Sequence, residues 1–138
     1  MADELSDPGA GRAPRGVVGL GTDVVDLERF RRVLERTPSL ESRAFTEAER
    51  ATCRRRRDPV PGLAGRFAVK EAVLKALGSG LGDAALVEIE VVRAESGEPH
   101  VVLHGGAAEL AAARGVEGWM VSITHSELVA VATVLALA

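Results

Sequence analysis

The first clear pattern in the chain is a run of small and β-branched residues over positions 16–25, GVVGLGTDVV, a composition typical of a β-strand. Because successive side chains of a strand point to opposite faces, the run predicts two different surfaces. One of them carries the carboxylate of Asp23 next to two glycines, which leaves space beside the charge. The two predicted sets are Val18, Leu20, Thr22 and Val24 on one face, and Gly19, Gly21, Asp23 and Val25 on the other.

Three helices are predicted between this strand and Gly78. The first begins at Asp26, whose side chain is an expected N-cap. The second is short and rich in arginine, and it begins with a capping box formed by Thr46 and Glu49. The third has the strongest helical pattern, spans about 61–77, and ends at the glycine.

Two pairs of strands and a further helix are predicted after the glycine-rich loop GSGLGD. Short strands cover 87–92 and 100–104, and an alanine-rich helix covers 107–114. The C-terminal residues read as a hairpin with strands at 119–125 and 128–137. This order predicts an α+β fold, in which a mostly antiparallel sheet packs against helices that include one long central helix.

Length and composition limit the class of protein. The 138 residues suit a single domain, which we predict over 16–138, whereas 1–15 lack any period and are expected to form a disordered tail. The single cysteine, Cys53, can form no internal disulfide, which favours a reduced compartment. The longest apolar run, 128–138, is shorter than the roughly 20 residues that cross a bilayer. We therefore expect a cytoplasmic protein without a membrane segment.

Charge is distributed unevenly along the chain. The net charge is −3, yet residues 29–57 contain ten arginines against four glutamates. This basic segment predicts an anionic partner that binds one face. For the arginine run at 54–57, a solvated helix end, a protein partner and nucleic acid all stay open. Because the chain has no tyrosine and its basic residues are not regularly interleaved with aromatic ones, we expect no nucleic-acid partner.

The predicted long helix carries an unusual set of charges. Lys70 falls near the centre of an apolar stripe, where its ammonium group must either reach solvent or face an anion. Glu71 and Lys75 are four residues apart on the flank, a spacing that also suits an ordinary helical ion pair. Arg66 adds a like charge one turn before Lys70, so we expect a phosphate-sized ligand here and, from Glu71, a metal. The apolar stripe consists of Leu63, Phe67, Leu74 and Leu77.

Three segments carry a resemblance to a known family. They are GLGTDVVDLER at 19–29, GRFAVKEAVLKALG at 65–78 and VSITHS at 121–126. The first two resemble the signature motifs of holo-[acyl-carrier-protein] synthase, the small single-domain class of 4′-phosphopantetheinyl transferase. The third is similar to a Ser/Thr-His segment of that family, which more often has serine where this chain has Thr124. The resemblance covers the chain from about residue 16 to its C-terminus.

The resemblance implies a reaction and a metal. The phosphopantetheine arm of coenzyme A would be transferred to a serine of a carrier protein, with release of adenosine 3′,5′-bisphosphate and with Mg²⁺ as the metal. Asp23 and Glu71 match the metal ligands, and Lys75 matches the lysine that neutralises or protonates the leaving phosphate. The base for the serine hydroxyl would be Glu71 or a metal-bound water. His125 matches a histidine that contacts the coenzyme or shuttles a proton.

The resemblance also implies coenzyme contacts, a carrier-docking helix and an assembly. An acidic acyl carrier protein, by default that of fatty-acid biosynthesis, would dock on basic residues of the first helix. Small members of this family form homotrimers whose active sites are shared between neighbouring subunits. The implied coenzyme contacts are Arg66, Phe67, Lys70, Lys75, Gly78, Gly80, Thr124 and His125, and the implied docking residues are Arg29, Arg32 and Arg36.

Two hypotheses of other classes compete with the enzyme. A non-catalytic carrier-binding subunit could keep this fold, but it would not need Asp23, Glu71 and Lys75, all of which are present. A basic nucleic-acid-binding module would need the arginines but not the lysine–glutamate pattern of the long helix. The Mg²⁺-dependent transferase is therefore the favoured hypothesis.

Overall fold

The computed structural model of the chain describes residues 16–78 and 83–138, and it confirms the predicted α+β fold. The predicted tail at 1–15 and the predicted coenzyme contact Gly80 lie outside the described residues. The strands are β1 (Val17–Asp26), β2 (Ile89–Arg93), β3 (Pro99–Leu103), β4 (Gly118–His125) and β5 (Val129–Leu137). The helices are α1 (Leu27–Arg36), α2 (Ser39–Ala44), α3 (Glu47–Arg54), α4 (Val60–Ala76) and α5 (Gly105–Ala113), with a short 3-10 helix over Asp83–Glu88.

Three strands form an antiparallel sheet in the order β1–β5–β4, and β2 pairs separately with β3. In the middle of the larger sheet, Ala132 of β5 lies opposite Asp23 of β1 and opposite Ile123 of β4. Every second residue of β5 is buried, and these residues are small. Their small size allows a helix to pack closely against the inner face of the sheet. The buried residues are Ala130, Ala132, Val134 and Ala136.

Helix α4 runs through the centre of the fold. It contacts the sheet on one side and α1, α3 and β2 on the others. Leu63 and Leu74 of the predicted apolar stripe are buried, but so are Ala68, Val69 and Val73 outside it. The buried surface is therefore much wider than one stripe, because layers of structure cover this helix from several directions.

The backbones of β1 and α4 approach each other directly. A Cβ atom at Gly21 would lie 1.8 Å from the carbonyl oxygen of Ala72, and one at Gly19 would lie 2.5 Å from the carbonyl oxygen of Ala76. The expectation of open space beside Asp23 is therefore wrong, since the backbone of α4 fills it. The strand pattern alone contains no information about which element packs on its glycine face.

The predicted helix starts are confirmed. The side chain of Asp26 accepts the backbone N–H of Arg29 at 2.8 Å, and Thr46 and Glu49 form the expected capping box. Helix α2 is absent from the sequence prediction because its six residues are too few for a helical period to emerge. Among the residues that the structure describes, no helix is both long and apolar enough to cross a bilayer.

Replacing Gly21 by alanine should destabilise the fold, because the new methyl group would meet the backbone of α4 rather than a movable side chain. We expect the free energy of unfolding to fall by about 3 kcal/mol in urea titrations. Gly118→Ala is the matched control, since nothing lies within 4 Å of a Cβ atom there and its φ is not positive. Its expected change is within about 0.5 kcal/mol. Equal effects of the two substitutions would contradict the close approach.

Candidate active site

The junction of β1 and α4 brings two of the predicted site residues into contact. The Nζ atom of Lys75 donates to Oδ1 of Asp23 at 3.1 Å and to the carbonyl oxygen of Thr22 at 2.9 Å. The side chain of Asp23 is 17% exposed and that of Lys75 is 56% exposed. The pair therefore lies at the edge of the protein, where a ligand could reach it. Asp26, rather than Asp23, caps the following helix.

Glu71 lies on the same part of α4. It directly precedes Ala72, whose carbonyl group contacts Gly21, and its side chain is half-buried. Because residues four apart on a helix project from the same side, Glu71 and Lys75 share one side of α4. The close approach of strand and helix thus gathers the Asp23 strand segment and the Glu71–Lys75 turn at one junction.

The donor set at this junction fits a magnesium ion that is shared with a phosphate ligand. Mg²⁺ prefers hard oxygen ligands and commonly uses one or two protein carboxylates together with phosphate oxygens and water. Asp23 and Glu71 provide two such carboxylates. Within residues 16–78 and 83–138, no group of three or more acidic, histidine or cysteine side chains is arranged to hold a metal ion. Two carboxylates therefore need a substrate phosphate to complete the coordination.

Lys70 lies away from this junction, in the interior. Its side chain has 0% exposure, and its Nζ atom donates to Oε1 of Glu49 at 2.8 Å and to the carbonyl oxygens of Leu86, at 2.9 Å, and Ile89. An ammonium group has three N–H donors, and all three are used here. No donor is left for the phosphate contact expected from the sequence, so in this structure Lys70 serves the interior and not a ligand.

Glu49 is the partner that sequence reasoning missed. Its side chain is fully buried, and its two oxygens accept from Lys70, from the backbone N–H of Thr46 and from that of Val91. Burial lowers the pKa of Lys70, and the nearby Glu49 carboxylate opposes that shift. The capping box already explained a glutamate at this position, and for that reason the sequence offered no signal of a second role.

A separate cleft of about 910 Å³ opens on the other side of α4, a volume usual for small-molecule sites. Arg66 lines it with only 4% exposure. Its Nη1 atom donates to the carbonyl oxygen of Gly62 at 3.3 Å, but its buried Nε atom has no hydrogen-bond partner in the described part of the chain. The positive charge of the Arg66 guanidinium favours an anionic ligand in the cleft. His125 and the arginines at 55–57 also line this cleft.

The other predicted coenzyme contacts that fall within the described residues do not line the cleft. Phe67 packs in the core, with ring centroids 5.2 Å from Phe30 and 6.5 Å from Phe45. Thr124 is exposed on β4, and Gly78 follows α4 with a φ of +63°. The structure therefore brings Asp23 together with Lys75, and Arg66 together with His125, as two separate groups.

Comparison with known proteins identifies the family. The family model of the 4′-phosphopantetheinyl transferase superfamily matches residues 19–132. The chain is 44% identical over 115 residues to a holo-[acyl-carrier-protein] synthase of Moorella thermoacetica, covering 83% of this chain and 90% of the relative. The chain belongs to the 4′-phosphopantetheinyl transferase superfamily.

Solved structures agree with this assignment. The holo-[acyl-carrier-protein] synthase of Neisseria meningitidis superposes with a TM-score of 0.78 at 30% identity, covering 87% of this chain and 98% of that one. A holo-(acyl-carrier-protein) synthase of Bacillus anthracis, in complex with CoA (3′,5′-ADP), gives 0.73 at 30% identity, with coverage of 89% and 98%. The predicted enzyme class, a holo-[acyl-carrier-protein] synthase among the phosphopantetheinyl transferases, is therefore confirmed.

The basic residues of α1 are positioned differently from both groups. Arg29, Arg32 and Arg36 are exposed, and their spacing of three and four residues sets them along one side of the helix. Arg31 points elsewhere and forms an ion pair with Asp58 at 2.7 Å. The fold thus presents a row of three exposed guanidinium groups on the helix that directly follows β1, the strand that carries Asp23.

Lys70→Met should unfold far more easily than the wild type, because it leaves the buried carboxylate of Glu49 without its counter-charge. We expect the free energy of unfolding to fall by about 3–5 kcal/mol in urea titrations. Lys75→Met is the matched control, since the exposed pair with Asp23 should contribute less than about 1 kcal/mol. Similar losses for the two variants would contradict the interior role of Lys70.

Proposed function

We propose that this chain transfers the 4′-phosphopantetheine arm of coenzyme A to a serine of an apo acyl carrier protein. The other product is adenosine 3′,5′-bisphosphate, and the reaction requires Mg²⁺. The proposed transferase domain spans residues 16–138 in a cytoplasmic protein, a setting that suits the free, buried Cys53. The observation that carries the proposal is the contact of Asp23 with Lys75 beside Glu71. It joins carboxylates that can hold a cation to an ammonium group that can bind a phosphate.

The proposed reaction is a phosphoryl-type displacement. The serine oxygen forms a bond to the phosphorus next to the pantetheine arm, and the bond from that phosphorus to the bridging oxygen of the diphosphate breaks. Positioning and charge neutralisation account for most of the catalysis of such a step. When bound between Asp23 and Glu71, Mg²⁺ would neutralise charge on the diphosphate oxygens. Glu71 accepts the serine proton, and Lys75 donates to the leaving phosphate oxygen.

We assign the 3′-phosphate of coenzyme A, rather than its reacting diphosphate, to the cleft lined by Arg66. The positive charge of the Arg66 guanidinium, which lines the cleft, supports the assignment because it favours a phosphate ligand. His125 lines the same cleft, and the arginines at 55–57 provide further positive charge. A relative from Bacillus anthracis is described in complex with CoA (3′,5′-ADP), which fits a ligand rich in phosphate.

The carrier protein is proposed to dock on α1. Arg29, Arg32 and Arg36 lie exposed on one side of it, and a row of this kind complements the acidic surface of a carrier protein. The default carrier is that of fatty-acid biosynthesis. Arg32→Glu should raise the KM for the carrier about tenfold at low salt while the KM for coenzyme A stays unchanged. An unchanged carrier KM would place the docking surface elsewhere.

A homotrimer is the proposed assembly. The outer face of the β1–β5–β4 sheet carries large apolar residues on both sides of a polar row at Thr22 and Thr133, and Leu20, Val24 and Met120 on it are 63%, 61% and 58% exposed. Exposed apolar faces of this kind typically mark subunit contacts. A shared active site would also explain why Asp23 and the Arg66 cleft are separate on one chain, since the coenzyme could span two subunits. Sedimentation equilibrium tests the assembly, and a monomer mass at micromolar concentration would contradict it.

The central test is intact-mass spectrometry of an apo acyl carrier protein that has been incubated with this protein, coenzyme A and Mg²⁺. We expect the carrier to gain the mass of one phosphopantetheine arm. Removal of Mg²⁺ with EDTA, or the substitution Asp23→Asn, should reduce the rate at least about a hundredfold. Glu95→Gln, an exposed residue of the β2–β3 turn, is the control and should react like the wild type.

Two results would contradict the proposed reaction. The first is a folded protein that modifies neither fatty-acid nor polyketide carriers. If that protein still binds them, a non-catalytic carrier-binding role replaces the transferase. The second is full activity of Asp23→Asn, which would remove the carboxylate–lysine contact from the reaction.

Arg66→Met tests the assignment of the cleft. Loss of the guanidinium group should raise the KM for coenzyme A at least about tenfold, because a charge-assisted contact with a phosphate is lost. The KM for the carrier protein should change less than about twofold. Arg43→Met, an exposed arginine of α2, is the matched control. If only the carrier KM changes, the cleft binds the carrier and not the coenzyme.

A further inference from the structure

A buried ion pair holds several segments of the chain to the helix that carries the proposed catalytic residues. Glu49 and Lys70 are joined at 2.8 Å, with both side chains at 0% exposure. Through its other donors, Lys70 also holds the carbonyl oxygens of Leu86 and Ile89. Through its other oxygen, Glu49 accepts the backbone N–H of Val91 at 3.0 Å. One pair of side chains therefore fastens α3, the 3-10 helix and β2 to α4.

The pair is placed to control the rotation of α4 about its own axis. Successive residues of an α-helix are about 100° apart, so Lys70 and Glu71 project in clearly different directions. Lys70 faces α3 and β2, whereas Lys75, on the same side of α4 as Glu71, reaches Asp23 on β1. A rotation of α4 that broke the Glu49–Lys70 contact would therefore also move Glu71 relative to Asp23.

Most other contacts of α4 are apolar, and such contacts restrict the direction of a side chain less than hydrogen bonds do. Hydrophobic attraction has no preferred direction, and the buried neighbours Ala68, Val69 and Val73 are small or compact. The geometry of a hydrogen-bonded ion pair is far more restrictive, since its distances and angles are narrow. The Glu49–Lys70 pair is therefore a strongly directional constraint on this side of the helix.

We propose that Glu49 is a positioning residue for catalysis: by holding Lys70, it fixes the orientation of α4 that sets Glu71 and Lys75 against Asp23. Glu49 itself touches neither substrate nor metal. The inference rests on the proposed function, because it requires Glu71 and Lys75 to act in the transfer. It goes beyond that function in assigning a role to a residue of α3 that lies outside the proposed site.

Stability alone is a weaker explanation for this pair. Moving two charges into a protein interior is unfavourable, and apolar residues of similar volume often give equal or higher stability. The capping box needs only an acceptor at position 49 for the N–H of Thr46, which glutamine also supplies. Neither stability nor capping requires a charged side chain at position 49. A charged partner for Lys70 does help to fix the orientation of α4.

The decisive variant is the double substitution Glu49→Gln/Lys70→Met, which removes both charges and keeps the volume and the cap. We expect this double variant to be more stable than Lys70→Met, because no unpaired charge is buried, and less stable than the wild type, because the carbonyl oxygens of Leu86 and Ile89 lose their donor. We expect kcat at saturating coenzyme A, carrier and Mg²⁺ to fall at least about tenfold, because the proposed catalytic groups are no longer held in register. Thermal unfolding and intact-mass kinetics measure the two effects separately.

Two control variants separate positioning from stability. Leu110→Ala removes apolar packing on α5 and should lower the unfolding temperature while kcat stays within about twofold of the wild type. Glu98→Gln makes the same chemical change as Glu49→Gln at an exposed glutamate that contacts His100, and it should alter neither quantity. A loss of kcat in Leu110→Ala equal to that in the double variant would overturn the inference.

The remaining outcomes are also decisive. Wild-type kcat in a folded double variant would show that the pair is only structural. If the double variant does not fold, Glu49→Asp replaces it, since it keeps the charge but shortens the side chain by one methylene. Undiminished kcat in Glu49→Asp would equally overturn the inference. An inactive wild-type protein would contradict the proposed function instead, so the two failures are distinguishable.

Discussion

The backbone of β1 lies directly against the backbone of α4, because Gly19 and Gly21 carry no side chains. Any other residue at Gly21 would place a Cβ atom 1.8 Å from a helix carbonyl oxygen and separate the two elements. Only this short separation allows Lys75 to reach both Asp23 and the carbonyl oxygen of Thr22. The candidate active site is thus a consequence of close packing between one strand and one helix.

The two lysines of the chain, both on α4, have opposite environments and hence different roles. The side chain of Lys75 is 56% exposed, so an incoming anion can compete with Asp23 for its ammonium group. Lys70 is fully buried and has three protein acceptors, so it has no capacity for a ligand. The two lysines are five residues apart on α4 and therefore point in different directions, Lys75 to the junction with β1 and Lys70 to the interior.

The Asp23 junction and the Arg66 cleft are two separate groups of residues on one chain. Asp23 and Lys75 lie where β1 meets α4, whereas Arg66 and His125 line a cleft that does not include them. This division is the reason for proposing an active site shared between subunits.

The sequence alone determined most of the elements but not α2, together with the helix caps at Asp26 and Thr46 and the motifs that identify the family, because these depend on local spacing and on residue type. It also indicated Asp23, Glu71 and Lys75 as one set, through resemblance to that family. Only the tertiary structure decided which elements pack on each other. It filled the expected space beside Asp23 with helix backbone and moved Lys70 from a ligand site into the interior, because Glu49 of another helix is its partner. Contacts between residues far apart in sequence leave no local pattern, and for that reason the role of Lys70 could not be predicted.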